Sequence, residues 1–290
     1  MSLLRNLFGG AEPATRAATP ERDGASAQDG ARLAEWLRVL RADPAAHAPA
    51  PLGRLVARAG ELTVGTPYGF KMLDQHLRDG SQGDEEPLTL SLTGFDTLTL
   101  VESCLALARC ARAGGGSWDD FGREVERLRY RGGKRAGYAS RLHYFSEWIA
   151  DNAARGKVRD MSRELGGVRD ERPLRFMTTQ RSNYAGLRSD AAYEAIVRHE
   201  KELDAMPRWV VPQESIPQAA AGIEPGDVLA FATRLRGLDV NHTGIAYGDP
   251  SGTIRVLHIY SASKVEISAE PLPEYVATRK STGILVARPI

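Results

Sequence analysis

Apolar side chains recur at helical spacing through the first part of the chain and in short, turn-bounded runs from Ile223 onward. Residues 31–41 place Leu33, Trp36, Leu37 and Leu40 on one face and predict a short amphipathic helix. Residues 52–59 predict a second helix, with a turn and a short strand over 60–68, and residues 88–93 alternate as a strand would. The clearest helix covers 96–113. Leu100, Val101, Cys104, Leu105, Leu107 and Ala108 make its broad apolar face, Asp96 is placed to cap its start, and Gly114, Gly115 and Gly116 end it. Further helices are predicted over 118–131, 142–152 and 186–206. Strands follow over 227–233, 241–248, 253–259, 264–268 and 283–288, separated by turn signals such as P-G-D, G-D-P-S-G and S-A-S-K. Helices first and an antiparallel run of strands last is an α+β order.

Residues 9–30 are rich in Ala, Gly, Pro, Thr and charge and poor in large apolar groups, and 43–51 is a second loose stretch. Residues 1–50 are therefore expected to be a flexible arm carrying one short helix, and 51–290 one compact domain. The 290 residues hold 38 Lys and Arg against 37 Asp and Glu, a net charge of +1. That balance gives no reason to expect nucleic acid or an anionic membrane as partner. No apolar run approaches the ~18 residues of a membrane span, so no integral membrane segment is expected. The opening M-S-L-L-R-N-L-F-G-G is interrupted by Arg5 and Asn6, and no conventional signal peptide is visible. Cys104 and Cys110 lie six apart, on nearly opposite faces of the 96–113 helix, and are expected to be buried free thiols.

Three segments carry candidate chemistry. In L-T-G-F-D-T-L-T-L, Thr97 falls on the first turn of a helix, where the helix dipole favours negative charge. In D-V-N-H-T-G-I-A-Y-G-D, His242 opens a strand. In V-L-H-I-Y-S-A-S, His258 sits near the end of the next one. The G-D-P-S-G turn makes these strands a hairpin and can bring both imidazoles to one face, one as general base and the other holding its ring. The block 140–152 offers Arg141, His143, Tyr144 and Trp148 as a ligand-binding wall, with Tyr130 nearby; the same spacing also fits an ordinary core helix with a satisfied histidine. Residues 176–184 are either a loop over the site or a connector. Asp227 and Asp239 read as turn residues, and His47, His76 and His199 as surface residues. There is no H-E-x-x-H, tight Cys/His cluster or spaced phosphate loop, so neither a metal nor a cofactor is expected.

The blocks F-D-T-L-T-L-V-E, L-R-Y-R-G, S-R-L-H-Y-F-S-E-W-I-A-D-N, F-M-T, I-E-P-G-D-V-L-A, G-L-D-V-N-H-T-G-I and V-L-H-I-Y-S-A-S occur in an order that resembles the NlpC-type cell-wall cysteine peptidases, in their N-acetylmuramoyl-L-alanine amidase-like branch. The resemblance spans roughly residues 55–290. It implies a papain-like α+β fold, with a helical N-terminal part packed on a C-terminal antiparallel sheet. It also implies a nucleophile–histidine–polar triad that maps to Thr97, His242 and His258. The implied substrate is a muropeptide or peptidoglycan fragment, cut at the amide between N-acetylmuramic acid and L-Ala, and the implied location is the cell envelope or periplasm.

At Thr97 the chain departs from the pattern, which has cysteine there. A thiol has a pKa near ~8.5 and is readily lowered, whereas a threonine hydroxyl must lose its proton during attack. An inactive or very slow enzyme is expected, or a binding protein that keeps an enzyme's pocket. Cys104, two turns or ~10.5 Å along the same helix, is too distant to substitute.

Overall fold

A computed structural model of the protein describes residues 26–47, 49–77 and 86–290. The expected arm lies outside the described residues as far as residue 25. Ser26 caps helix α1 (Ala27–Ala42) through the N–H of Asp29, so the helix begins ahead of the predicted 31–41. Its predicted face is buried, with Leu33, Trp36, Leu37 and Leu40 in the main core.

Helix α2 (Leu52–Thr63) runs beyond its predicted end, through residues read as a turn and strand. The reason is Gly60, which serves close packing and not a turn: a Cβ there would stand 2.9 Å from the Leu257 side chain. Helix α3 (Thr97–Ala113) follows the sequence reading closely. Asp96 and Thr99 form a reciprocal capping box, and Gly114 ends the helix at φ 79°. Leu100, Val101, Cys104, Leu105 and Leu107 are fully buried, which makes α3 the central helix. Cys104 and Cys110 are free and buried. Helix α4 (Trp118–Arg129) has its own capping box from Ser117 and Asp120. Helices α5 (Phe145–Ala154), α6 (Phe176–Thr179), α7 (Asp190–Ala205), α8 (Ile216–Ala219) and α9 (Leu272–Thr278) complete the α-helices among the described residues, and short 3-10 turns join several of them.

The predicted strand at 88–93 does not form. Its backbone groups find side chains in place of a neighbouring strand. Leu92 N–H donates to Asp29 at 2.6 Å, and Arg32 donates to the Leu92 carbonyl at 2.7 Å. Arg129 donates to the Thr89 carbonyl at 2.7 Å. The segment is thus extended and satisfied without a ladder.

The strands are β1 (Val158–Asp160), β2 (Val168–Arg169), β3 (Trp209–Pro212), β4 (Val228–Ala232), β5 (Val240–Gly248), β6 (Ile254–His258), β7 (Glu266–Ile267) and β8 (Gly283–Pro289). They pair antiparallel in the order β2-β3-β8-β4-β5-β6-β7, with β1 also on β8. One sheet face (Val228, Ala230, Ile245, Leu257, Leu285) joins the core built by α1 to α5. The other (Leu229, Phe231, Ala246, Val256, Val286) packs under Ile216 of α8 and Leu272, Tyr275 and Val276 of α9. β4 is buried on both faces, which is why V-L-A-F-A lacks a polar alternation. A satellite cluster around Leu174, Phe176, Leu187, Ile196 and Leu203 lies under α7. Among the described residues no helix is long and apolar enough to cross a membrane.

Candidate active site

The site begins with the start of α3. Asp96 accepts the N–H of Thr99 through its carboxylate at 2.8 Å and that of Leu100 through its carbonyl at 3.1 Å. The first two N–H groups of the helix, on Thr97 and Leu98, are therefore the orphan donors of its first turn. Thr97 is half-buried, and its carbonyl accepts a 2.8 Å hydrogen bond from the Thr243 hydroxyl. That bond fastens the helix tip to β5 one residue past His242.

The hairpin β5–β6 supplies the two imidazoles. Ile245 pairs with Leu257, and just past this pair Gly244 lies against His258 and the His242 ring meets that of Tyr260. The ring centroids of His242 and His258 are 5.4 Å apart and the planes nearly perpendicular at 78°. Tyr260 stacks on His242 at 4.3 Å with planes 10° apart. Tyr275 meets His258 at 5.1 Å, and Phe231 meets His242 at 5.5 Å. Gly244 is required by this packing: a Cβ would sit 2.8 Å from the Leu257 carbonyl and 3.3 Å from the His258 Cβ.

Burial holds the His242 pKa well below the usual imidazole value, helped by His258 and Arg279. Burial, then Arg279, brings His258 down to about 4. Both rings are thus neutral near pH 7. His242 Nε2 and His258 Nδ1 are buried without a hydrogen-bond partner among the described residues. Such orphaned buried groups cost on the order of 1–3 kcal/mol each.

Thr97, His242 and the rings of Phe231, Tyr260 and Tyr275 line one cavity of about 500 Å³. Thr243 leaves β5 toward α3 and His242 leaves it on the opposite face, so the cavity wraps round the start of this strand. Backbone strain gathers at its rim. Lys71 (φ 46°), Ala262 (φ 61°) and Lys280 (φ 57°) are the non-glycine residues with left-handed backbone among those described. Lys71 lines the cavity, Ala262 follows the lining residue Ser261, and Lys280 sits between Arg279 and Ser281, which also line it. Each such residue costs on the order of 1 kcal/mol or more, held by the surrounding structure.

Of the five residues expected to form a binding wall, the cavity takes one. Arg141 lines it, ion-paired with Glu86 at 2.7 Å and Asp74 at 2.9 Å. His143 lies against Tyr138, bonded to its carbonyl at 3.0 Å, and burial, followed by Arg141, lowers its pKa to about 3. The Tyr144 hydroxyl donates to Glu200 at 2.7 Å and accepts the Met177 N–H, which commits it to the satellite cluster. Trp148 is fully buried, stacked on Phe145 at 4.9 Å. Tyr130 is fully buried too, and its hydroxyl meets Glu86 at 3.4 Å. The aromatic spacing of α5 makes core, as the alternative reading allowed. From 176–184, Asn183 and Tyr184 line the cavity.

His76 is buried beside Glu86 at 3.7 Å, and is not the surface residue expected. Asp227 shapes its turn by accepting the Glu224 N–H at 2.9 Å and pairs with Arg288. Asp239 does more than turn the chain: it is buried and accepts the N–H of Ser146 at 2.8 Å, joining the start of β5 to the start of α5. Tyr260 was legible, since two residues beyond His258 in a strand shares its face. Tyr275 and Arg279 were not, because the short α9 went unread.

The family model described as AmiA-like, N-acetylmuramoyl-L-alanine amidase-like, matches residues 58–284. The chain belongs to this family. Solved structures agree. An N-acetylmuramoyl-L-alanine amidase from Bacteroides uniformis is 27% identical, with a TM-score of 0.74, over 82% of this chain and 99% of that one. A protein from Bacteroides fragilis, provisionally named a xylanase, is 33% identical, with a TM-score of 0.71, over 79% of this chain and 99% of that one. A protein of the DUF1460 family from Legionella pneumophila, 18% identical with a TM-score of 0.65 over 91% and 95% of the two chains, shares the fold. No match was found among curated proteins. The AmiA-like assignment places Thr97, His242 and His258 all within the matched region.

Proposed function

We propose that the cavity binds a muropeptide or peptidoglycan fragment, and that the amide cleavage of active relatives is absent or very slow in this chain because of Thr97. The observation that carries this reading is the convergence of the α3 tip and the His242 ring on one cavity, with His258 behind. In a papain-like Cys-His-His enzyme, a thiolate at position 97 would attack the lactyl carbonyl of N-acetylmuramic acid. The orphan N–H groups at the helix start would hold the oxyanion. His242, as imidazolium, would protonate the departing amine of L-Ala, and water would then hydrolyse the thioester. His258 would keep the His242 ring in place.

A thiolate would supply the negative charge that makes an imidazolium tolerable at His242. The threonine hydroxyl supplies none before attack, and burial and Arg279 both oppose charging that ring. Its additional methyl group also crowds the approach. A glycosidase reading has less support: that chemistry needs two free carboxyl groups, whereas Asp74 is bound by Arg141 and Asp96 by the start of α3. By family the protein would work in the cell envelope.

Mass spectrometry of defined muropeptides incubated with this chain and with Thr97→Cys tests the reading. The expected result is release of stem peptide by Thr97→Cys at a rate at least ~100-fold above the unaltered chain, the scale of an activated nucleophile. Equal rates for the two forms would overturn the role given to Thr97. Calorimetric binding with no turnover by either form would favour a dedicated binding protein.

A further inference from the structure

The cavity carries cations that its own carboxylates do not answer. Asp74 is taken up by Arg141, which also holds the neighbouring Glu86, and Asp96 by the first turn of α3. Lys71 lines the cavity with no ion pair among the described residues. Among the carboxylates of the described residues Arg279 pairs with Glu270 alone, at 3.6 Å, beyond hydrogen-bond range.

Arg279 is also held as a recognition group would be. It ends α9, where a cation suits the helix dipole. Its guanidinium lies over the Tyr275 ring at 4.8 Å and near the Tyr260 ring at 5.7 Å. The two tyrosine hydroxyls are bonded to each other at 2.9 Å. Those same rings pack against His258 and His242, so the guanidinium and both imidazoles share one aromatic support. Stacking uses the face of a guanidinium and leaves the donors on its edge, five in all. One of them is bonded to the Thr278 hydroxyl at 3.1 Å and another to the Tyr260 hydroxyl. The planar fork that remains matches a carboxylate.

We propose that Arg279 is the specificity-determining residue of the cavity: it holds a carboxylate of the ligand's peptide part beside the His242–His258 pair, with Lys71 as a second cation. This rests on the reading of the cavity as a muropeptide site. It adds that the ligand must bear a free acid, as the glutamic acid of a stem peptide does, and that an amidated stem is discriminated against.

The test is calorimetry on the full chain with N-acetylmuramoyl-L-alanyl-D-glutamic acid and with its diamide. The unaltered chain should bind the acid at least tenfold more tightly, the scale of one charge-assisted pair. Arg279→Gln should bring the acid down to the affinity of the diamide and leave the diamide unchanged, which also shows that the cavity is intact. Arg279→Lys, with the charge but not the fork, should keep part of the preference. Equal binding of acid and diamide by the unaltered chain, or a full preference surviving in Arg279→Gln, would overturn the assignment. If the unaltered chain binds neither ligand, the muropeptide reading itself has failed and takes this one with it. Discrimination lost while binding persists is the separate failure of Arg279 alone.

Discussion

In the proposed function, position 97 turns on a small difference: oxygen for sulfur and one methyl. Thr97, at the tip of α3, shares the cavity with the His242 ring, and His258 packs behind that ring. Those imidazoles have a consequence for stability. An unfolded histidine titrates near ~6.5, whereas burial and Arg279 bring His258 down to about 4, and burial with His258 and Arg279 holds His242 well below its usual value. The unfolded chain therefore takes up more protons as pH falls below ~6.5. Stability is fully present above that pH and is lost progressively toward pH 4. His258 alone should account for on the order of 2 kcal/mol between pH 7 and 4.5. Thermal melts across this range should show the loss, and His258→Phe should flatten it in part, because His242, His143, His76 and His199 are lowered by burial as well. An unchanged slope in that variant would show that the histidine is not held as described.

At the scale of elements, the hairpin β5–β6 does most of the positioning. Gly244→Ala would force a Cβ to within 2.8 Å of the Leu257 carbonyl, backbone that cannot swing aside. A loss of about 1–3 kcal/mol in urea unfolding is expected, with weakened ligand binding as His258 is displaced. Much of this scale could be read from the sequence. The capping signals of α3 are local, and the turn-bounded runs from Ile223 onward marked β4, β5, β6 and β8. What escaped was decided by long-range contacts. The 88–93 segment has a strand's alternation, but Asp29, Arg32 and Arg129 take its backbone groups. β1, β2 and β3 are too short to show a period. Tyr144, Trp148 and Tyr130 carry the same aromatic signal whether they line a cavity or fill a core, and only tertiary packing chooses. Arg279 left no trace, because a single arginine after a seven-residue helix has no pattern.

For the molecule as a whole, the sheet is the divider, with the α3 core on one face and α8 and α9 on the other, and the cavity opens where β5 begins. α1 belongs to this architecture. Leu37 is 2% exposed in the main core, so Leu37→Ala should cost about 2–5 kcal/mol by chemical denaturation. A cost near zero would mean that α1 is only loosely attached.

The tie between α1 and residue 92 reaches further than stability. Asp29 and Arg32 grip both backbone groups of Leu92, a short step ahead of the Gly94 to Thr97 segment. A truncated form beginning at residue 58, where the family match starts, would retain every side chain named in the cavity. It would nonetheless lose both side chains that hold the Leu92 backbone just ahead of that segment, and an assay on it would report a missing anchor as though it were missing chemistry.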